Sequence, residues 1–288
     1  MSWELLWALL LACALLYVGL QLVRFARADG DLTLLWAEWQ GRRPEISNLK
    51  EKDILVLPLD LTDRGSHEVA TKKVLQHFGQ IDILVNNGGR SQRSLFEDTN
   101  LDVYKAIMEL NFLGTISLTK CVLPHMIERK QGKIVTVSSI LGLAAAPLAS
   151  GYAASKHALH GFFNSLRCEL VMHPEISITN ICPGPVQSNI VHNAFTEEVS
   201  KKLENTGSQE YKMKTSRCVR LMLVAMANDL KEVWIAEQPY LSVCYIWQYA
   251  PTWAWWITSK LGRRRIENFK NGLDADSSYF RPLRKKTD

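Results

Sequence analysis

Several common functional signatures are absent from this sequence. It has no glycine-rich phosphate loop, no internal repeat and no N-x-S/T glycosylation sequon. Its six cysteines include no C-x-x-C pair and no spacing typical of metal ligands, so neither a redox dithiol nor a metal site is predicted. Most of the cysteines lie in apolar runs, where a small buried hydrophobic residue is the expected role.

Dense positive charge is missing as well. The net charge of +5 is modest, and the basic residues are scattered except at Arg263–Arg265 and Arg284–Lys286. Such short runs are typical of a solvated or membrane-surface segment, so no nucleic-acid partner is predicted. Outside an apolar N-terminal segment about 250 residues remain, which suits one α/β domain with a sizeable core.

The longest apolar run, residues 5–23, lies at the N-terminus. As a helix, its length nearly matches a hydrocarbon core about 30 Å thick. Basic residues follow the run and none precedes it, which predicts an uncleaved signal anchor with the main domain in the cytosol. Ala26-Arg27-Ala28 resembles a signal-peptidase site, so cleavage is the alternative.

Apolar runs alternate with helical patterns through the middle of the chain. Short runs typical of buried strands are predicted at 54–59, 81–85, 132–137, 176–181 and 233–235. Longer segments with a helical period are predicted at 65–78, 101–120 and 152–171. This alternation predicts an α/β fold with a Rossmann-like, doubly wound parallel sheet.

Tyr152 and Lys156 stand four residues apart in the last of these helices. The spacing places both side chains on one helix face, with Cβ atoms about 5–6 Å apart. The lysine charge is expected to lower the tyrosine pKa from its ordinary value near 10, so that the phenol exchanges protons more readily at neutral pH. By itself, such a pair is common on surface helices.

Other polar positions accompany this pair. Ser139 follows strand 132–137, where it could bind a substrate oxygen or simply cap a helix. Asn111 lies within helix 101–120, and Asn86-Asn87-Gly88-Gly89 ends strand 81–85, where an ordinary turn is the alternative. Ligands in open α/β sheets bind outside the carboxyl ends of the strands, so the combination predicts one carbonyl-reducing site there.

In these motifs the chain resembles the short-chain dehydrogenase/reductase family, over about residues 55–234. The catalytic residues that the resemblance implies are Tyr152, Lys156, Ser139 and Asn111. The implied cofactor-binding residues are Asp60, Asn86, Gly88, Lys156, Pro183, Gly184, Val186 and Ser188. In such enzymes the lysine also binds the nicotinamide ribose and the asparagine holds a water in a proton relay. The resemblance implies NADP(H) as cofactor, with NAD(H) as the alternative.

Two positions depart mildly from the family pattern, because Gly88 replaces the usual alanine and Ser188 the usual threonine. A larger departure from the family pattern lies N-terminal to both positions. The family's domain opens with a strand, a T-G-x-x-x-G-x-G loop, a helix and a second strand, a unit of roughly 30 residues or more. Here residues 39–45 are followed almost at once by residues 48–53 and the predicted strand 54–59.

We infer an internal deletion that removes the phosphate loop and two central strands of a sheet ordered 3-2-1-4-5-6. Strand 54–59 must then pair directly with strand 81–85, or it stays unpaired. Because the glycine loop normally lets the backbone approach the pyrophosphate, weak or absent dinucleotide binding and reduced stability are expected.

The C-terminal segment 240–261 is apolar and aromatic, but Gln248 and Pro251 argue against a straight spanning helix. One interpretation is a substrate-entrance lid that dips into the bilayer, with Arg263–Arg265 against lipid phosphates. The other is a packed helical cap over the core. An apolar entrance suits a small lipophilic alcohol or carbonyl, and similar family members act on steroids and retinoids with NADPH.

Two functions therefore stay open: a membrane-anchored NAD(P)(H)-dependent oxidoreductase, and a catalytically inactive relative that acts by protein–protein association. The family also makes a homo-oligomer a reasonable expectation. Four regions are expected, namely an anchor at 1–28, a linker at 29–53, a catalytic domain at 54–239, and a lid with a basic tail at 240–288. The ending Lys285-Lys286-Thr287-Asp288 resembles a dilysine signal and predicts the endoplasmic-reticulum membrane, with a solvated tail as the alternative.

Overall fold

The structure is a computed structural model that describes residues 14–16, 18, 29–31, 34, 37–38, 53–203, 209–273 and 275. Most of the predicted anchor, the basic tail and the site of the inferred deletion lie outside these residues. Within them, one helical run, Leu101–Arg129, is long and apolar enough to cross a membrane. Its C-terminal half packs Val122 and Met126 against the sheet, as a core helix does.

The centre of the fold is a parallel sheet of four strands. The strands are β1 (Ile83–Asn86), β2 (Gly132–Val137), β3 (Ile176–Pro183) and β4 (Glu232–Ile235). Their order across the sheet, β1-β2-β3-β4, is also their order along the chain. Four of the five predicted strands are thereby confirmed, with bounds shifted by up to two residues.

Seven helices are numbered among the described residues. They are α1 (Arg64–Phe78), α2 (Leu101–Met108), α3 (Gly114–Arg129), α4 (Ser150–Glu169), α5 (Thr215–Ala227), α6 (Tyr240–Tyr249) and α7 (Pro251–Lys270). The predicted single helix 101–120 is longer than expected and is divided between α2 and α3 by a π turn, Glu109–Leu113. Pro251 starts α7, so the C-terminal segment forms two helices, which agrees with the expectation that it is not one straight helix.

Helices cover the sheet on both faces. On one face, Ile134 and Ile178 pack beneath Phe163 of α4 and the buried side of α3. On the other face, Val135 and Ile181 pack beneath α5. Neighbouring residues of one strand point to opposite faces, so both faces of β2 and β3 carry buried apolar side chains, as expected of a parallel sheet covered on both faces. The predicted α/β fold is confirmed.

Residues from the predicted linker also pack on this second face. Leu34 and Ala37 are buried in the core cluster that contains β4 and α5. The Asp31 amide donates to the Trp234 carbonyl oxygen at 2.8 Å, and the Trp234 amide donates to the Asp31 carboxylate at 2.6 Å. Arg217 of α5 forms ion pairs with Asp29 and Glu38. The described residues between 29 and 38 are therefore held against β4 and α5.

The prediction of a strand at 54–59 is wrong. These residues form no strand in the structure, and Val56 is 84% exposed. A strand needs a neighbour for its backbone hydrogen bonds, and the two inferred missing strands are those that would lie between this segment and β1. Of the two outcomes expected for it, the unpaired one is observed.

The same absence leaves β1 at the edge of the sheet, paired only with β2. Ile83 and Val85, which share one face of β1, are 43% and 47% exposed. Leu84 points to the other face and packs against the covered core. One face of β1 is therefore covered by the core and the other is exposed.

Candidate active site

Tyr152 and Lys156 lie on the first turns of α4, and both are buried. The Lys156 Nζ atom donates to the Val137 carbonyl oxygen at the end of β2, at 2.8 Å. It also lies 5.7 Å from the centroid of the Tyr152 ring. The predicted pair therefore shares one helix face, at the carboxyl end of the sheet.

Burial controls the charge of both groups. It lowers the pKa of Lys156 to about 8, against a small opposing effect of Cys182. It raises the pKa of Tyr152, while a hydrogen bond with Ser139 and the charge of Arg93 act in the opposite direction. The expectation that the tyrosine pKa is lowered by Lys156 is therefore wrong in its net direction, because the loss of solvation outweighs the charges.

Ser139 lies where it was predicted, immediately after β2. Its Oγ accepts a hydrogen bond from the Leu141 amide at 3.1 Å and so caps a short 3-10 turn, Ile140–Gly142. It also lies 3.5 Å from the Pro183 carbonyl oxygen at the end of β3. Ser139 therefore fills the alternative role of helix cap and also lies within hydrogen-bond reach of Tyr152, while its binding of a substrate oxygen stays a prediction.

Asn111 is fully buried within the π turn between α2 and α3. Its Oδ1 accepts from the Arg90 amide, and its Nδ2 donates to the Arg90 carbonyl oxygen, both at 2.9 Å. Nδ2 also lies 3.0 Å from Ser155 Oγ on α4. Single π turns inside helices are frequent at functional sites, and this one aims an amide at the loop after β1.

The loop after β1 comes close to the catalytic pair through its glycines. A Cβ on Gly89 would lie 3.1 Å from Asn111 Oδ1 and 3.7 Å from Lys156 Nζ, so little beyond hydrogen fits there. Gly88 is similarly covered by Leu61, whose Cδ1 would be 2.5 Å from an added Cβ. Asn86, at the end of β1, donates to Thr119 Oγ1 of α3 at 3.0 Å and has a supporting position.

The predicted site residues fall into two groups, those that line one cavity and those that lie outside its lining. The residues that line one cavity together are Ser139, Tyr152, Lys156, Pro183, Gly184, Val186 and Ser188. The residues outside its lining are Asp60, Asn86, Gly88 and Asn111. Asp60 is exposed and accepts hydrogen bonds from the Thr62 amide and hydroxyl, which lower the pKa of its carboxyl.

Gln92 and Arg93 were missed by sequence reasoning. The Gln92 Oε1 atom accepts from the amides of Gly151 and Tyr152 at 2.7 and 3.3 Å, and so caps α4 from a distant loop. Arg93 Nη1 donates to Ser91 Oγ and to the Gln92 carbonyl oxygen at 2.9 and 2.8 Å. The Gln92 contact depends on packing between segments 59 residues apart, so no local sequence pattern predicts it. The Arg93 contacts are local, but no motif in the sequence indicates them.

A further group of titratable side chains lies behind the cavity. The His160 ring stands between Cys182 Sγ, 3.5 Å from Nε2, and Glu232 Oε2, 3.3 Å from Nδ1. Its two nitrogens face different partners, which is the arrangement of a hydrogen-bonded chain rather than of ligands around one ion. This chain ties α4 to β3 and β4.

The cavity beside Ser139 and Tyr152 has a volume of about 380 Å³. Its walls are mostly apolar, and α6 and α7 supply its outer side with Tyr240, Val243 and Leu261. Volumes of roughly 300–1,000 Å³ are usual for small-molecule sites. The position of the cavity, outside the carboxyl ends of parallel strands, is where open α/β sheets bind ligands.

The family model of short chain dehydrogenases matches residues 18–199. The chain belongs to the short-chain dehydrogenase/reductase family. It is thus a member of a family of oxidoreductases, and the predicted recognition is confirmed.

Individual relatives agree with this assignment. Dehydrogenase/reductase SDR family member 7 of Homo sapiens is 61% identical over 339 residues, covering 100% of both chains. The Mus musculus protein of the same name is 59% identical over 330 residues, covering 97% of this chain and 98% of its own. Both alignments exceed the 288 residues of this chain, so they contain gaps within it. A solved short-chain dehydrogenase from Streptomyces avermitilis is 33% identical, with a TM-score of 0.45 over 49% of this chain and 51% of that one.

A short-chain dehydrogenase implies a nicotinamide cofactor, and part of its site fits the residues present. Gly89 leaves its backbone open beside Lys156, and Gly184 and Ser188 line the cavity next to the catalytic tyrosine. These residues would hold the nicotinamide end. The glycine-rich loop that would hold the pyrophosphate has no counterpart in the sequence.

Proposed function

We propose that this chain contains the catalytic residues and substrate cavity of a membrane-associated oxidoreductase, which interconverts lipophilic alcohols and carbonyls. The observation that carries the proposal is the convergence of Tyr152, Lys156 and Ser139 on one apolar cavity. Steroid-like or retinoid-like compounds are the proposed substrate class, because their size and low polarity suit such walls. NADP(H) is the proposed cofactor, with NAD(H) as the alternative.

The proposed chemistry assigns one task to each side chain. Tyr152, whose pKa is raised, is protonated at neutral pH and gives its proton to the carbonyl oxygen during reduction. Ser139 donates a hydrogen bond to the same oxygen and fixes the carbonyl beside the phenol. A bound nicotinamide would exchange the hydride with the carbon. Lys156, next to Tyr152, returns a proton to the phenolate, and Asn111 holds the loop that faces both.

The site supplies only part of the contacts that a dinucleotide cofactor needs. Only the nicotinamide-end contacts of Gly89, Gly184 and Ser188 are supplied, whereas helix N-terminus and glycine-loop amides normally carry the pyrophosphate. We therefore propose that the chain binds the dinucleotide weakly, and that cofactor binding limits its activity.

The decisive test is NADPH binding to the purified, detergent-solubilised chain, measured by nucleotide fluorescence. A second version carries a complete strand–glycine loop–helix–strand insert after Glu45. Binding by the repaired version alone is expected. Saturable, tight binding by the unrepaired chain would show that another set of backbone amides holds the pyrophosphate.

One observation favours a second function. The exposed edge of β1 offers unpaired backbone groups beside the apolar side chains of Ile83 and Val85. A catalytically inactive relative that associates through this edge with another protein, or with a second copy, is the alternative. If the repaired version binds NADPH and reduces carbonyls whereas the natural chain does neither, the alternative is favoured.

The proposed location is the endoplasmic-reticulum membrane, with the predicted N-terminal anchor and a cytosolic main domain. Trp253, Trp255 and Trp256, near the start of α7, are all more than half exposed, and Lys260 lies over the Trp256 ring at 3.8 Å. Tryptophan is enriched where membrane meets water. This exposed aromatic surface supports an α7 that touches the bilayer beside the cavity.

A further inference from the structure

A second cavity adjoins the one that contains Tyr152. Its volume is about 650 Å³, and its walls are mostly apolar. The two cavities have four lining residues in common, namely Ala145, Ala146, Pro147 and Thr258. The loop at 145–147 and one turn of α7 therefore form a wall that both cavities share.

The second cavity is a groove that follows α7. The helix residues that line it are spaced by three and four positions, so they form one face along about 22 Å of helix. Within this face, an added Cβ on Gly262 would lie 3.0 Å from Pro147 Cγ, so the glycine lets α7 pack closely against the shared wall. The lining residues of α7 are Trp255, Thr258, Ser259, Gly262, Arg263, Ile266, Glu267 and Lys270.

The two ends of the groove differ in polarity. Trp247 of α6 and Trp255 line the end near the start of α7, with ring centroids 5.5 Å apart. Arg263 lines the groove and is exposed, whereas Arg265 is buried and lines the cavity at Tyr152. The expectation that all three C-terminal arginines contact lipid is therefore corrected for Arg265.

The shared wall is fixed in place relative to the catalytic tyrosine. Leu148, which follows the wall and precedes α4, is buried and has a φ of 67°, a conformation that is rare for a bulky side chain. Such strained residues are frequent at active sites and ligand-binding segments. On the other side of the wall, Gln248 of α6 donates to the Leu143 carbonyl oxygen at 2.9 Å. The loop is thus held at both ends.

We propose that the substrate is an elongated molecule, whose carbonyl or alcohol lies beside Tyr152 and whose apolar far end passes Pro147 into the groove along α7. This rests on the proposed function, since it names the shape of the substrate for the same site. A compact ring system would occupy the first cavity alone. A flexible chain can bend over the wall, and each methylene that it buries beside Trp247 and Trp255 adds affinity. Within the proposed substrate class, retinoid-like chains are therefore favoured over steroid-like rings.

The test compares decan-2-one with hexadecan-2-one, which share the carbonyl end and differ in chain length. Binding to the full-length chain is measured by isothermal titration calorimetry in one non-ionic detergent, without cofactor. Ser259→Phe should obstruct the groove, because Ser259 lines the groove and not the first cavity. We expect this variant to bind the long ketone about tenfold more weakly, the effect of displacing about two methylenes, and the short ketone with unchanged affinity.

The matched control is Thr252→Phe, at an exposed position of α7 that lines neither cavity, and it should change neither affinity. Partition into the detergent is the same for every variant and cancels in the comparison. An equal loss for both ketones in Ser259→Phe, or no loss for the long one, would overturn the proposal.

A second measurement uses the natural groove and does not depend on the folding of Ser259→Phe. 16-Bromohexadecan-2-one should quench tryptophan fluorescence, with part of the quenching lost in Trp247→Phe, whereas 10-bromodecan-2-one should quench much less. Equal quenching by both would contradict an elongated binding mode. If a brominated phospholipid quenches Trp247 and the long ketone does not displace it, the groove holds lipid and the proposal fails.

The outcomes also separate this inference from the proposed function. If neither ketone binds, both fail. If both ketones bind and Ser259→Phe leaves the ratio of their affinities unchanged, the cavity at Tyr152 keeps its proposed function and only the elongated substrate is refuted.

Discussion

At the residue scale, Tyr152 and Lys156 are governed by their loss of solvation. Burial raises the pKa of the phenol and lowers that of the ammonium to about 8, so it favours the neutral form of both. A protonated tyrosine suits reduction, in which the phenol must give up a proton. A lysine that releases its proton near neutral pH suits the return of that proton.

Lys156→Met should change how stability depends on pH. In the unfolded chain the lysine keeps its proton up to about 10.5, whereas in the folded chain it loses it near 8. Between these values the unfolded state binds more protons, so the folded state gains stability as pH rises. Relative to the variant, the natural chain should gain about 2 kcal/mol between pH 8 and 10. Urea unfolding at both pH values measures this difference, and a constant difference would contradict the buried, shifted lysine.

Asn111→Leu should destabilise the fold by about 3 kcal/mol, because the Arg90 amide and carbonyl and the Ser155 hydroxyl each lose a buried partner. The control is Asn100→Leu, since Asn100 is exposed and its side chain makes no capping bond to α2. Denaturant unfolding of both variants gives the comparison. If both variants lose the same small amount of unfolding free energy, Asn111 contributes little to holding the loop after β1.

The residues that could be predicted are those whose pattern is local. Tyr152 and Lys156 lie one helical turn apart, and Ser139 directly follows an apolar strand, so short stretches of sequence place all three. Gln92 could not be predicted, because it caps α4 across 59 residues of chain. The direction of the Tyr152 pKa shift could not be predicted either, because it depends on how deeply the ring is buried.

At the scale of secondary-structure elements, β1 lies at the edge of the sheet, whereas in a complete domain it would be a central strand. Parallel sheets are normally covered on both faces, and their edges are protected. Here Ile83 and Val85 lie on an uncovered face, and the segment 54–59 forms no strand beside them. An apolar run predicts a strand only if a partner strand exists, which is why the pattern at 54–59 was misleading.

Val85→Lys should reduce self-association of the chain with little effect on its folding. A charge on the exposed face of an edge strand opposes pairing with another chain, and a surface substitution changes stability by about 0.5 kcal/mol or less. The control is Val69→Lys, since Val69 is an exposed valine of α1. Sedimentation velocity over a range of concentrations measures both. Equal association of the two variants would exclude the β1 edge as the contact.

Helix α7 should place its exposed tryptophans at the bilayer surface. In the chain reconstituted in vesicles with brominated lipids, replacing Trp253, Trp255 and Trp256 by phenylalanine should remove a large part of the quenched fluorescence. Trp234→Phe is the control, because that indole is half-buried and donates to Glu232. Quenching that is unchanged by the triple replacement would favour the interpretation of a packed cap away from lipid.

At the scale of the whole molecule, the missing unit affects stability as well as chemistry. A complete strand–loop–helix–strand unit would pair the free edge of β1 and cover Ile83 and Val85. Each apolar side chain buried in this way contributes roughly 1.5–3 kcal/mol. The absence of a phosphate loop and the exposed β1 edge are therefore two results of one inferred deletion.

The repaired chain should accordingly protect β1 from hydrogen exchange. Amides of Ile83–Asn86 are expected to exchange at least about tenfold more slowly after the insertion, whereas β3, which already has two neighbours, should gain less. Hydrogen–deuterium exchange with mass spectrometry resolves the two strands. Unchanged exchange in β1 would mean that the insert does not join the sheet, and the stability argument would then fail.

The order of the strands also bears on how the chain folds while it is being synthesised. Because each strand pairs with the one that precedes it along the chain, the sheet can lengthen in one direction as the polypeptide leaves the ribosome. One long-range step waits for β4, because Asp31 docks on Trp234, 203 residues away. Until β4 emerges Asp31 cannot dock on it, so we expect the chain to be most vulnerable to proteases and chaperones in the interval before that contact forms.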